Sequence, residues 1–158
     1  MFDFFRRKLA SAAALAALCE AAEAEARRDG QAEPGAEHFV LAALSLPDGK
    51  ARRAFEAVGA TGEALRSAVA RQYQEPLEAL GLNADAPPAP LDGEPQGAYR
   101  AAPSGRALVQ ALAADRRAPL TSARVLAAAT DQRHGVFARA LKLMGIDPER
   151  LRAAALAV

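Results

Sequence analysis

The sequence predicts an all-α protein built from two similar four-helix halves, and three observations carry that prediction. Of the 158 residues, 43 are alanine, the residue that loses least on entering a helix. Strand formers are scarce, since eight aromatic and few β-branched residues leave little from which to build a sheet. The third observation is a repeat. A shift of 86 residues, without a gap, lays Gly49 on Gly135, Arg53 on Arg139, Ala54 on Ala140 and Gly59 on Gly145. It also lays Glu63 on Glu149, Leu65 on Leu151 and Arg66 on Arg152. Most of these matches are not alanines. A helical unit that cannot bury its apolar face alone packs against its twin.

The elements follow in order. A long first helix spans residues 4–28 and stops at Asp29-Gly30. After Pro34-Gly35 a short apolar helix covers 37–46 with Phe39, Val40, Leu41 and Leu44, and Pro47-Asp48-Gly49 turns the chain. The third helix, 50–58, sets Ala51, Ala54, Phe55 and Val58 at core spacing and ends at Gly59. Thr61 caps a fourth, with Ala64, Leu65, Ala68 and Val69 inward. Residues 81–102 lack periodicity and hold Pro87, Pro88, Pro90 and Pro95 with Gly93 and Gly97, the composition of a linker. Beyond it, Ser104 caps a helix to 115 and Thr121 or Ser122 caps another to 130. A third runs from 135 to 144, and Asp147-Pro148 opens the last. The expected organisation is one domain over 1–158, with repeat one at 1–80, the linker at 81–102 and repeat two at 103–158.

The formal net charge of +1, from 20 basic and 19 acidic residues interspersed along the chain, argues against a nucleic-acid partner. The acidic residues read as helix surface charge. Arg27-Arg28, Arg52-Arg53 and Arg116-Arg117 read as solvated faces. Arg6-Arg7-Lys8 before an apolar run resembles the start of an export signal. The pattern, however, continues as one helix into Glu20, Glu23 and Glu25, and the run is too short to span a bilayer. The expected location is the cytoplasm, with no membrane partner. The single cysteine, Cys19, lies among alanines and reads as a small buried hydrophobe.

Chemistry-bearing motifs are few. No Gly-x-x-x-x-Gly-Lys-Ser/Thr loop, Gly-x-Ser-x-Gly elbow or His-Glu-x-x-His pair occurs, so neither an enzyme nor a cofactor is expected. His38, at a helix start, reads as a group satisfying a local hydrogen bond, because no Cys, His or Asp joins it at metal-ligand spacing. His134 has no stronger case. Phe2, Phe4 and Phe5 crowd the first turn; either an exposed Phe2 anchors a partner, or all three pack against the second repeat.

Gly35-Ala36-Glu37-His38-Phe39-Val40-Leu41-Ala42-Ala43-Leu44 resembles the Gly-Thr-Glu-His-hydrophobic signature of the Clp N-terminal (Clp repeat) domain. The run 51–59 followed by Glu63-Ala64-Leu65 fits as well, as do Met1-Phe2 and the second copy from Ala138 to Leu151. The resemblance implies two pseudo-symmetric four-helix Clp repeats packed into one domain. It also implies a non-catalytic module of the kind that fronts Hsp100 unfoldases and binds substrates and adaptors. The expected partners are proteins or peptides: Clp substrates, adaptors or Clp ATPase subunits. The expected role is an adaptor, decoy or regulator. Two alternatives stand beside it, the front domain of a larger Clp-type ATPase and a structural helical oligomerisation protein. Some members bind phosphoarginine through the motif glutamate of each repeat, which gives Glu37, His38 and Ser122 as candidate ligand residues beside Phe2. Here the motif is incomplete, because Ala36 replaces the threonine, and Ala123 and Arg124 follow Ser122 where Glu-His is expected. Glu37 is better accounted for by its favourable charge at a helix N-terminus.

Overall fold

The structure, a computed structural model, describes residues 2–82, 89–92, 100–115 and 118–158, with side chains described from residue 10 onward. Among these residues it forms eight α-helices and no strand. In chain order they are α1 (Phe2–Arg28), α2 (Ala36–Leu44), α3 (Lys50–Ala57), α4 (Gly62–Ala79), α5 (Pro103–Ala114), α6 (Ser122–Thr130), α7 (Val136–Leu143) and α8 (Pro148–Ala157). The starts of α2, α3 and α4 recur 86 residues later in α6, α7 and α8.

The local signals act as their chemistry requires. Thr61 and Thr121 each accept the N–H three residues on, from Ala64 and Arg124 at 3.2 Å, and so cap α4 and α6. Asp147 accepts the Glu149 N–H at 3.1 Å and caps α8, with Pro148 in its first turn. Gly59 and Gly145 close α3 and α7 in the left-handed conformation, at φ of 75° and 69°. In both turns the glycine N–H and the next one fold back onto carbonyls of the finished helix, on Glu56 and Phe55 and on Lys142 and Leu141.

One predicted cap is corrected. Ser104 lies inside α5, which Pro103 opens, and its hydroxyl instead accepts the Ala36 N–H at 3.1 Å, capping α2 from the other half of the chain. The acidic residues also depart from the expected solvated faces. Glu23, Glu25, Asp29 and Glu37 are buried. Glu25 gains Arg66 of α4 at 2.7 Å, a partner 41 residues away that the linear pattern does not reveal.

Packing follows the repeat. The helices α2 and α6 lie against each other at the centre, while α3 packs on α8 and α4 on α7, contacts that exchange when the two halves are interchanged. Equivalent positions fill one core: Phe39 and Val125, Val40 and Leu126, Phe55 and Leu141, and Leu65 and Leu151 are all buried. Ala51 stands where repeat two has Phe137, so small and large residues interdigitate across the axis. Each large side chain buried this way contributes about 1.5–3 kcal/mol.

The described alanines in the first part of α1 do not share in this core. Ala10, Ala12, Ala13, Ala14, Ala16 and Ala17 are exposed, and burial begins in earnest at Leu18. Cys19 is buried as expected, and burial first, then the charge of Glu20, pushes its thiol above the usual range.

Candidate functional site

Two of the residues singled out by sequence, Glu37 and His38, share one buried cluster. Both sit in the first turn of α2, with 2% and 0% of their surface exposed. His38 reaches back over the helix start, and its Nδ1 accepts the Gly35 N–H at 3.0 Å. With that lone pair occupied, Nε2 carries the hydrogen and donates to Asp29 Oδ2 at 3.2 Å. The local hydrogen bond read from sequence is present, together with a carboxylate partner that was not foreseen.

Glu37 folds back over Gly35, so closely that a Cβ on Gly35 would collide with both carboxylate oxygens. Its Oε1 accepts the Tyr73 hydroxyl at 2.5 Å, and the Tyr73 ring stacks on His38 with centroids 6.0 Å apart. Burial, then the charge and hydrogen bond of Glu37 and the charge of Asp29, push the Tyr73 hydroxyl far above its ordinary range. It stays a proton donor at every physiological pH. The cluster thus ties the turn after α1 (Asp29), α2 (Glu37, His38) and α4 (Tyr73) together.

Ser122 lies elsewhere, on the axis between the repeats, and is fully buried. Its hydroxyl donates to Asp48 Oδ1 and accepts the Ala51 N–H at 2.8 Å, while its own N–H donates to Asp48 Oδ2 at 2.8 Å. Asp48 therefore caps α6, and Ser122 caps α3, each across the repeat boundary. Burial pushes the Asp48 carboxyl up. The hydrogen bonds from Ser122 and the Lys50 N–H, with the charge of Lys50, outweigh it and hold the group below the usual carboxylate range. Ser122 is over 70 residues from Asp48 and does not meet Glu37. The side chain of Phe2 lies outside the described residues, as do those of Phe4 and Phe5. His134 is exposed in the turn before α7.

A concave surface opens on another side. Ser11, Ala12 and Leu15 of α1, Leu112 and Ala113 of α5, and Asp115, Ala118, Leu120 and Arg124 line a groove of about 300 Å³. Arg124 is held there by its own hydrogen bonds. Its guanidinium donates to the carbonyls of Ala118 at 2.9 Å, Leu112 at 2.8 Å and Asp115 at 2.5 Å, and so satisfies the C-terminus of α5. No sequence motif marks this groove. Its polar side, however, was within reach of the repeat: Asp115 and Arg124 stand 86 residues after Asp29 and His38. In each half the residue at the third position of the central helix grips the acid that ends the preceding helix.

The model of the Clp repeat N-terminal domain matches residues 11–91, just over half of the chain. The chain belongs to the Clp N-terminal domain family. No curated protein matches it. Clp repeat domains are non-catalytic modules that bind proteins, and among its described residues this chain is all helical. Among the described residues no helix is long and apolar enough to cross a membrane, and no cluster of three metal-ligating side chains occurs. The family match runs from within α1 through α4 to residue 91. The second repeat of this Clp domain is recognised by the recurrence of helix starts and core positions described above.

Proposed function

We propose that this Clp domain captures protein or peptide segments in the α1–α5 groove and serves as a cytoplasmic adaptor, decoy or regulator in Clp-dependent proteolysis or protein quality control. The observation that carries the reading is the groove itself. Its walls are apolar, Arg124 fixes its polar side, and it lies beside the exposed alanines of α1 at positions 10, 12, 13, 14, 16 and 17. A concave apolar surface with a few fixed polar groups is the usual form of a binding site. Glu37, His38 and Ser122 enter this reading as residues that hold the groove's supporting helices, because their side chains are already engaged inside the molecule.

The test is the affinity of the wild-type chain for fluorescently labelled unfolded proteins and for isolated Clp ATPase subunits, beside Ala12→Arg and Leu15→Asp. Ala12 is exposed, so the arginine fills the groove without cutting into the core. The expected result is micromolar binding weakened at least tenfold by both substitutions, a loss of roughly 1.4 kcal/mol. Binding indifferent to both would remove the groove from the account. Self-association with no affinity for either class of protein would favour the structural, oligomerising alternative.

A further inference from the structure

The buried cluster around His38 contains two hydrogen-bond arrangements within reach of one ring nitrogen. In the arrangement present, Nδ1 accepts the Gly35 N–H at 3.0 Å. Glu37 Oε1 lies 3.3 Å from the same nitrogen, an acceptor facing an acceptor. The other Glu37 oxygen, Oε2, is buried without a hydrogen-bond partner. A carboxylate so enclosed, with one donor from Tyr73, is short of hydrogen bonds.

We propose that His38 is a proton-operated exchange of partner: on acidification Nδ1 takes a proton, releases the Gly35 N–H and donates to Glu37 instead. Nothing needs to travel, because donor and acceptor already lie within 3.3 Å. The Nε2–H bond to Asp29 is kept in both states and anchors the ring. The titratable and charged groups around the ring come from α1, α2, α4 and α7 and from the turn after α1. Asp29, in the turn after α1, and Glu37 of α2 face the ring; Glu25 of α1 is paired with Arg66 of α4, and Arg139 of α7 bonds Gln72. Tyr73 of α4 keeps its proton throughout.

The exchange has a mechanical consequence. Gly35 belongs to a turn that docks the second half of the chain. The neighbouring Pro34 carbonyl accepts the Ala102 N–H at 3.1 Å, and the Ala36 N–H donates to Ser104 of α5. Gly105 of α5 packs against Pro34 with no room for a side chain. Releasing the Gly35 N–H therefore loosens the seat of α5, in a direction that acid drives and base reverses. This inference stands on the cluster alone and does not depend on what the groove binds.

The experiment is ¹⁵N NMR of the wild-type chain between pH 8 and pH 5, following both His38 ring nitrogens and the Gly35 and Ala102 amides, with His38→Gln as control. The expected result is an unprotonated Nδ1 at pH 8. On acidification the Gly35 and Ala102 amides shift with the same midpoint as Nδ1, and the Gly35 protection factor against hydrogen exchange falls roughly tenfold, as for the loss of one buried hydrogen bond. His38→Gln abolishes the shared titration. A protonated Nδ1 at pH 8, a His38 that titrates while Gly35 stays still, or a His38 that takes no second proton before the chain unfolds would each overturn the proposal.

Discussion

Replacing Ser122 with alanine removes one hydroxyl and breaks contacts on both sides of the repeat boundary. The Ala51 N–H, buried at the start of α3, loses its acceptor, and Asp48 loses a donor while keeping the N–H groups of Ser122 and Lys50. An orphaned buried donor costs about 1–3 kcal/mol, and a hydrogen bond to a charged group contributes about 1.5–3 kcal/mol. Asp48 is more than a third exposed, so solvent takes up much of the second loss and the total settles near the low end, about 2 kcal/mol. For a domain of this size that lowers the Tm by about 4–8 °C. Acid adds a second signature. A carboxyl whose folded pKa is depressed contributes stability that is present above its unfolded pKa and lost as pH falls through the folded one. The gap between wild type and Ser122→Ala should therefore be full at pH 7 and shrink below about pH 4. Thermal denaturation by circular dichroism at pH 7 and pH 3 measures both. A Tm change under about 1 °C at pH 7, or an equal gap at the two pH values, would refute the cross-repeat capping on which the estimate rests.

Other perturbations act on separate features. Gly105→Ala drives a methyl group into the Pro34 carbonyl and the Phe39 ring, and should destabilise the chain by about 1–3 kcal/mol, read as a lowered urea midpoint at unchanged slope. Arg124→Met removes the donor to three carbonyls at the end of α5. It should cost about 2–4 kcal/mol and raise amide exchange in 112–115 and at 118 more than in α3 or α8. Phe55→Ala, at a fully buried core position, should cost about 3–5 kcal/mol by urea denaturation, whereas Leu80→Ala, at a position 76% exposed, should stay within about 0.5 kcal/mol. Cys19 should react with a thiol reagent at pH 8 far more slowly in the native chain than in denaturant, because it is buried and its thiol is pushed up.

The helices were legible because their signals are local. Threonines at 61 and 121, Asp147-Pro148 and the glycines at 59 and 145 each act within four residues of themselves, and the structure uses them as read. The repeat carried the reading further, since an offset seen in sequence became an offset of helix starts and of core positions. What could not be read is what the fold brings from afar. Tyr73 reaches Glu37 from 36 residues away and Asp48 reaches Ser122 from 74, and no periodicity encodes either meeting. Ser104 shows the same limit from the other side: its position before an apolar run suggested a cap for its own helix, and tertiary packing gave its hydroxyl to α2. The groove left no trace for a similar reason, because its walls are alanines and leucines whose spacing equally suits a buried face.

The central claim is that this Clp domain takes its protein partners in the α1–α5 groove while the Glu37–His38 cluster supports the fold from within. Chemical-shift mapping on the ¹⁵N-labelled chain, titrated with an unfolded protein, tests it most directly. The account predicts the largest perturbations at Ser11, Leu15, Ala113 and Leu120, with the amides around Gly35 and Glu37 unchanged. Perturbations centred on the start of α2, with the groove silent, would contradict it and return the binding role to Glu37.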